Sequence, residues 1–391
     1  MTAVTELPTE LLALSPEQEE IIRLCRRFAA EEIRPIARAV DEADVEVPWD
    51  IWHKAARLGL TSFMLPERLG GGGLTDVLTQ ALVQEELCAG DLPIGNLLTS
   101  NGFFAHPVLE LGTPEQQERF LTPLTSPEPP LTALAVTEPD TGSDAASLTT
   151  RAVRTPTGYR LTGRKAWISN GGVAEFYLIF ATIDPSLRAR GVTAFLVRGD
   201  APGLSCSAPL RKMGQRALLN TEISLDDVAV DVEDRLGGEG EGFRGLMHTF
   251  DASRVILAAA ATGAARAATE YALAYAAERR QFGVPIDRHQ AVAFRLADMA
   301  TRVEASRLLV WRAARRLDSG RRATKEAAMA KLTASETAVF ATWAAVQTLG
   351  GWGYSREHLV EKWMRDAKLE EIEEGTSDIQ RLVIARAITG R

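Results

Sequence analysis

Glu370–Gln380 reads Glu-Glu-Ile-Glu-Glu-Gly-Thr-Ser-Asp-Ile-Gln. Four carboxylates precede one glycine, and Ser377 with Gln380 has the capping-box spacing that opens a helix. A carboxylate next to a glycine turn sits on bent, exposed backbone and can point into a cleft. Like charges this close raise one another's proton affinity, which favours a proton acceptor near neutral pH. By itself the stretch also reads as a solvated acidic turn in front of the last helix. The rest of the chain decides between these readings.

Working back from that turn, the chain predicts long helices. One covers Phe243–Arg280 with an interruption at Gly263. Asp287 is the expected cap of a helix reaching about Asp318. Thr324 starts another that ends at Gly350-Gly351, and a short helix covers about Arg356–Arg365. Together they suggest an antiparallel bundle. Before it, short Thr-, Val- and aromatic-rich runs are punctuated by turn residues: Leu131–Val136, Gly158–Ile168, Phe176–Ile183, Val192–Val197 and Thr221–Val230. These predict an antiparallel β domain. Residues 1–125 read as all-helical. Ser15-Pro16-Glu17-Gln18 and Thr113-Pro114-Glu115-Gln116 are capping boxes with Pro at the first helical position. Thr75 is the expected cap of a helix carrying Glu85 and Glu86. The fold class is therefore α+β: an N-terminal all-α domain (1–125), a central antiparallel β domain (126–236) and a C-terminal helical bundle (237–391).

Composition narrows the function. A chain of 391 residues, 46% hydrophobic and 25% charged, is an ordinary globular protein with room for several domains. The net charge of −8, with no basic run, argues against a nucleic-acid partner. Cys25, Cys88 and Cys206 form no disulfide or zinc pattern, which suggests a reducing compartment. The N-terminus does not resemble a signal peptide, and the longest apolar run, Val255–Ala265, is too short to cross a bilayer. A cytoplasmic location with no membrane association is expected. The scattered histidines predict no metal site. Gly240-Glu241-Gly242-Phe243-Arg244-Gly245 matches a dinucleotide fingerprint in letters only, because Glu239 and Glu241 would repel a pyrophosphate.

Two further stretches carry chemistry. Leu134–Asp144 is a strand running into a turn whose backbone N–H groups and Thr137 and Ser143 hydroxyls could meet a polar ligand; it also reads as a plain hairpin loop. Trp167-Ile168-Ser169-Asn170 ends a strand with an aromatic and a hydroxyl, suited either to a flat ring or to the core.

Taken in order, several motifs resemble the acyl-CoA dehydrogenase family over nearly the whole chain. They are Val136–Asp144, Trp167–Asn170, Lys212–Arg216, Glu278–Gly283, His289-Gln290, Gln347–Tyr354, Arg365–Lys368 and Glu374–Gln380. The resemblance implies a bound FAD. Val136, Thr137, Gly142 and Ser143 would lie on one side of its ring system, and Trp167, Ile168 and Ser169 near its reactive nitrogen. Arg279, Gln281 and Phe282 would reach the FAD of a neighbouring subunit. His289, Gln290, Gln347, Gly350, Gly351, Thr376 and Asp378 would hold the nucleotide end. Glu374 matches the base that removes the α proton of an acyl thioester. The alternative base position of some members, on the helix near residue 253, carries Ser253. Ser143, Asp251, Ser253, Arg254 and Gly375 match substrate contacts. The implied partners are an acyl thioester on CoA or an acyl carrier protein, an electron-transfer flavoprotein and further copies of the chain, as a dimer or tetramer.

The sequence departs from the family at Leu218 and Asn220, where Ser and Thr are common, and at Glu373, where an aromatic is common. Glu373 suggests a short or polar acyl group. An oxidase or flavin monooxygenase on the same fold, and a flavin-free binding protein, are the competing readings.

Overall fold

The computed structural model describes residues 13–390. Its first part is helical: α1 (Pro16–Phe28), α2 (Ala37–Ala43), α3 (Trp49–Arg57), α4 (Val77–Gly90), α5 (Leu92–Thr99), α6 (Gly102–Leu111) and α7 (Pro114–Leu121). Both Pro-containing capping boxes form, at Ser15 and at Thr113. The cap of α4 is Asp76 rather than Thr75, its carboxylate accepting from the Thr79 N–H at 2.8 Å.

Eight strands follow: β1 (Leu131–Ala135), β2 (Arg151–Arg154), β3 (Gly158–Ser169), β4 (Ala174–Thr182), β5 (Val192–Arg198), β6 (Leu204–Cys206), β7 (Asn220–Asp231) and β8 (Arg235–Leu236). They form one sheet in the order β6-β7-β3-β2-β4-β5-β8, with β1 beside β4. The sheet is mostly antiparallel, but β1 pairs with β4 in parallel, and β2 touches β4 in parallel at Arg151–Thr182. The antiparallel expectation holds apart from these two pairings; two intervening strands separate β1 from β4. A pair joined by so long a connection is free to run parallel, which a hairpin is not.

The chain then returns to helices: α8 (Gly242–Glu278), α9 (Gln290–Asp318), α10 (Thr324–Leu349), α11 (Gly351–Tyr354), α12 (Val360–Ala367) and α13 (Ser377–Thr389). Between α8 and α9 lies a two-stranded hairpin, β9 (Arg280–Gln281) and β10 (Val284–Pro285). Three expectations need correction. Helix α8 is unbroken at Gly263, where an added Cβ would come within 2.3 Å of the Glu85 carbonyl oxygen, so the glycine admits a neighbouring helix. Helix α9 begins after His289 with no side-chain cap, because Ile286–Arg288 forms a 3-10 turn that carries Asp287 past the capping position. The short helix lies later than expected, at α12.

Contacts divide the chain into two compact units. One gathers the residues up to Arg38, Asp76–Gly95 and Arg254 onward; the other holds Ala39–Thr75 and Asn96–Ser253. The core of the first is rich in alanine, with Ala258, Ala261, Ala265 and Ala268 of α8 and Ala327, Ala334 and Ala338 of α10 buried in one cluster. Small side chains let helices approach closely, and α10 is packed by α9, α12 and α13. The core of the second unit is the sheet face around Tyr159, Ile179, Phe195 and Val228.

Candidate active site

Within the first unit the 370–380 stretch is a tight turn. Glu370 is buried, while Glu371 pairs outward with Lys368 at 2.5 Å. Glu374 has φ +53° and Gly375 φ +91°. A non-glycine residue in the left-handed region costs on the order of 1 kcal/mol and persists where its surroundings fix it. Here three side chains do so. Arg254 of α8 donates to the Glu374 carbonyl at 3.2 Å. Lys331 of α10 donates to the Gly375 carbonyl at 3.0 Å. The Gln380 amide donates to both carbonyls, at 3.1 and 2.8 Å.

That use of Gln380 removes it from the expected capping box. The cap of α13 is Thr376, whose hydroxyl accepts from the Ile379 N–H at 3.3 Å. The backbone is still turning through Gly375, so Thr376 is the first extended residue with an oxygen to offer.

Arg254, Glu374 and Gly375 thus come together. Thr376 adjoins them as the cap of α13, but Arg279 and Gln347 do not. Arg279 lies 25 positions beyond Arg254, just past the end of α8, which is about 37 Å along a helix at its usual rise. Gln347 lies 16 positions beyond Lys331 on α10, about 24 Å away by the same measure. Phe282 and Gly283 form the tip of the β9–β10 hairpin, both at positive φ, a two-residue turn that suits the twist of the strands. Phe282 is 93% exposed, and its ring meets His289 edge-on at 5.7 Å. Arg279, Gln281, Gln290, Gln347, Gly350, Gly351 and Asp378 are exposed as well.

In the second unit the strand ends form their own arrangement. Trp167 sits at φ +60° beside an irregularity in the β3–β7 register and is 60% exposed, so it is not a core residue. Ile168, next to it, is buried. Asn220 donates to the Trp167 carbonyl at 3.3 Å and to the Ser169 hydroxyl at 3.1 Å, and Lys212 in turn donates to Asn220. Thr137 accepts from the Ala166 N–H through its carbonyl at 2.9 Å. Lys165, fully buried, donates to the Val136 carbonyl at 3.0 Å and to Glu138 at 2.9 Å. Burial alone would raise the Glu138 carboxyl, but the Lys165 charge and the Thr149 and Thr150 hydrogen bonds bring it down to about 2. Gly142 and Ser143 are exposed, and Asp251 and Ser253 are buried on α8.

The sequence reading missed Lys331, Lys165 and Gln380 as supports. Lys331 had a visible signal: it falls in helical phase with Ala327, Ala334 and Ala338, on a stripe where a surface lysine does not belong.

Three family models match in succession: acyl-CoA dehydrogenase N-terminal domain at residues 15–128, middle domain at 133–228 and C-terminal domain at 240–389. The bovine mitochondrial short-chain specific acyl-CoA dehydrogenase is 41% identical over 372 residues, 95% of this chain and 90% of its own. The chain belongs to the acyl-CoA dehydrogenase family. Among solved structures, butyryl-CoA dehydrogenase from Megasphaera elsdenii superposes with TM-score 0.92 at 37% identity, covering 96% of this chain and 99% of its own. The prolyl acyl carrier protein oxidase AnaB gives 0.91 at 33% identity, covering 96% and 100%. In this family the helix–sheet–helix order seen here is the common architecture of those relatives. No helix among the described residues is long and apolar enough to cross a membrane.

Proposed function

We propose that this protein is a flavoenzyme that removes the α and β hydrogens of an acyl thioester, with Glu374 as the base. The observation that carries the reading is the anchored turn: a carboxylate on a left-handed residue, both flanking carbonyls held by Arg254, Lys331 and Gln380. A base must be aimed at one proton, and such a turn fixes its backbone. Ser253 offers no competing carboxylate on α8. The Glu374 N–H is the proposed donor to the thioester carbonyl, where negative charge develops, and Ser143, Asp251, Ser253, Arg254 and Gly375 are the proposed substrate contacts.

The residues present fit FAD. A Cβ at Gly142, Gly350 or Gly351 would meet no atom within 4 Å among the described residues, so backbone there is open to a ligand. Trp167 offers an exposed ring beside the Ser169 hydroxyl, and Arg279 a cation for a pyrophosphate. Val136, Thr137, Gly142, Ser143, Trp167, Ile168 and Ser169 are the proposed flavin-side contacts. Arg279, Gln281, Phe282, His289, Gln290, Gln347, Gly350, Gly351, Thr376 and Asp378 are proposed for the nucleotide side. When bound, FAD would accept the β hydrogen as hydride. The long separation of Arg279 and Gln347 from Glu374 supports contributions from different copies of the chain, hence a dimer or tetramer. Phe282→Ala is then expected to weaken both self-association and flavin retention, read by sedimentation velocity and by bound flavin per chain.

An electron-transfer flavoprotein is the proposed acceptor, and CoA or an acyl carrier protein the proposed thioester carrier. The likeness to a carrier-protein oxidase favours an oxidase as the second reading. One Glu373 carboxylate oxygen is buried, and Lys331 and Cys88 both feel its charge; a short or polar acyl group remains the proposal. Asn220 is likewise engaged within its own unit. Three free cysteines fit a cytoplasmic setting. The test is anaerobic incubation with a panel of acyl-CoA thioesters, reading loss of two hydrogens by mass. Oxygen uptake in air separates oxidase from dehydrogenase. A flavin-free protein that alters no thioester defeats the reading.

A further inference from the structure

We propose that Lys331 is a positioning residue for the base: its buried ammonium, fixed on the Gly375 carbonyl, keeps the Glu374 carboxylate ionised in the resting protein. The inference rests on the reading of Glu374 as the base and deepens it. Lys331 is 1% exposed, a position a lysine occupies only when paired. Its ammonium donates to Gly375 O at 3.0 Å. Burial lowers its proton affinity, while the Glu370, Glu373 and Glu374 carboxylates raise it and Arg254 opposes them. The neighbouring Cys88 lies in the field of Glu370, Asp91 and Glu373. Asp91 and Asp366 both accept from Lys362, at 2.5 and 2.7 Å.

The Lys331 ammonium is fixed one residue from Glu374, on the Gly375 carbonyl, within the field of the Glu370, Glu373 and Glu374 carboxylates, which Arg254 shares. Without Lys331 the turn would lose a buried positive charge, and Glu374 would hold a proton at higher pH. A nearby opposite charge commonly moves a carboxyl by about one to three pH units.

The experiment is a carbon-13 carboxyl titration of glutamate-labelled protein. The Glu374 signal is assigned by its loss in Glu374→Gln. Its midpoint is then measured in Lys331→Met, Lys331→Gln and Lys331→Arg. Lys331→Met and Lys331→Gln are expected to raise it by about one pH unit or more, and Lys331→Arg to restore it. Lys331→Gln keeps a donor for Gly375 and loses the charge, so a wild-type midpoint in that variant overturns the proposal. If Lys331→Met does not fold, Lys331→Met with Glu370→Gln, which removes one charge of each sign, is expected to titrate like wild type; a midpoint still raised overturns it equally. The acid limb of kcat/KM should move with the midpoint. Because the titration needs no turnover, a protein that oxidises no thioester would defeat the dehydrogenase reading without touching this measurement.

Discussion

Glu374 and Glu138 show two ways in which a single carboxylate is committed by its neighbours. Glu138 is saturated by Lys165, Thr149 and Thr150 and is held down at about 2, from an ordinary 4.5. A depressed carboxyl stabilises the fold above its unfolded value, and that contribution is lost as pH falls from about 4.5 toward 2. Glu138→Gln should therefore cost roughly 3 kcal/mol at pH 7, since it strands a buried lysine. The gap from wild type should narrow below pH 4.5. Urea unfolding across that range checks it, and a gap independent of pH would refute the assignment. Glu374 was legible as a base only through the motif around it. Its support was not, because Arg254, Lys331 and Gln380 come from three distant or helical positions that only the fold brings to one turn.

At the scale of elements, the long helices could be read from periodicity and caps, and the exceptions share a cause. Gly263 resembles a helix breaker, yet it is the place where α8 meets the Glu85 backbone. Gly263→Ala gains about 1 kcal/mol in helix propensity. The new methyl would nevertheless need to displace a carbonyl 2.3 Å away. A net loss of about 1–3 kcal/mol is expected, seen as a lower Tm by calorimetry. A raised Tm would show that the helices part freely. The strands β2, β6 and β8 escaped prediction because they are two to four residues long and half-exposed. Pairing partners, not side-chain alternation, define them. The caps at Asp76 and Thr376 each lie one residue from a plausible alternative, a distinction that only local backbone geometry makes.

At the scale of the whole molecule, the order of helices, sheet and helices was legible, while its buried charges were not. Glu86 is paired with Arg26 and Arg266, and Glu85 with Arg307. Lys362 lies between Asp91 and Asp366, all three buried. Sequence periodicity registers these residues as polar positions on helices, and nothing in it reveals that they face one another. Lys362→Met would leave two carboxylates buried together and should cost about 3–5 kcal/mol. Chemical denaturation checks this. Replacing all three by apolar residues should recover much of the loss, because a fully removed buried network leaves no charge stranded.

The central claim is that Glu374 takes a proton from an acyl thioester as the flavin is reduced. Its most direct measurement is the rate at which the visible flavin band bleaches when wild type and Glu374→Gln are mixed anaerobically with the thioester that wild type oxidises. Rapid bleaching is expected in wild type, with a loss of roughly 10²–10⁴-fold or more in Glu374→Gln and flavin still bound. Bleaching at the wild-type rate in Glu374→Gln would place the base elsewhere and contradict the account.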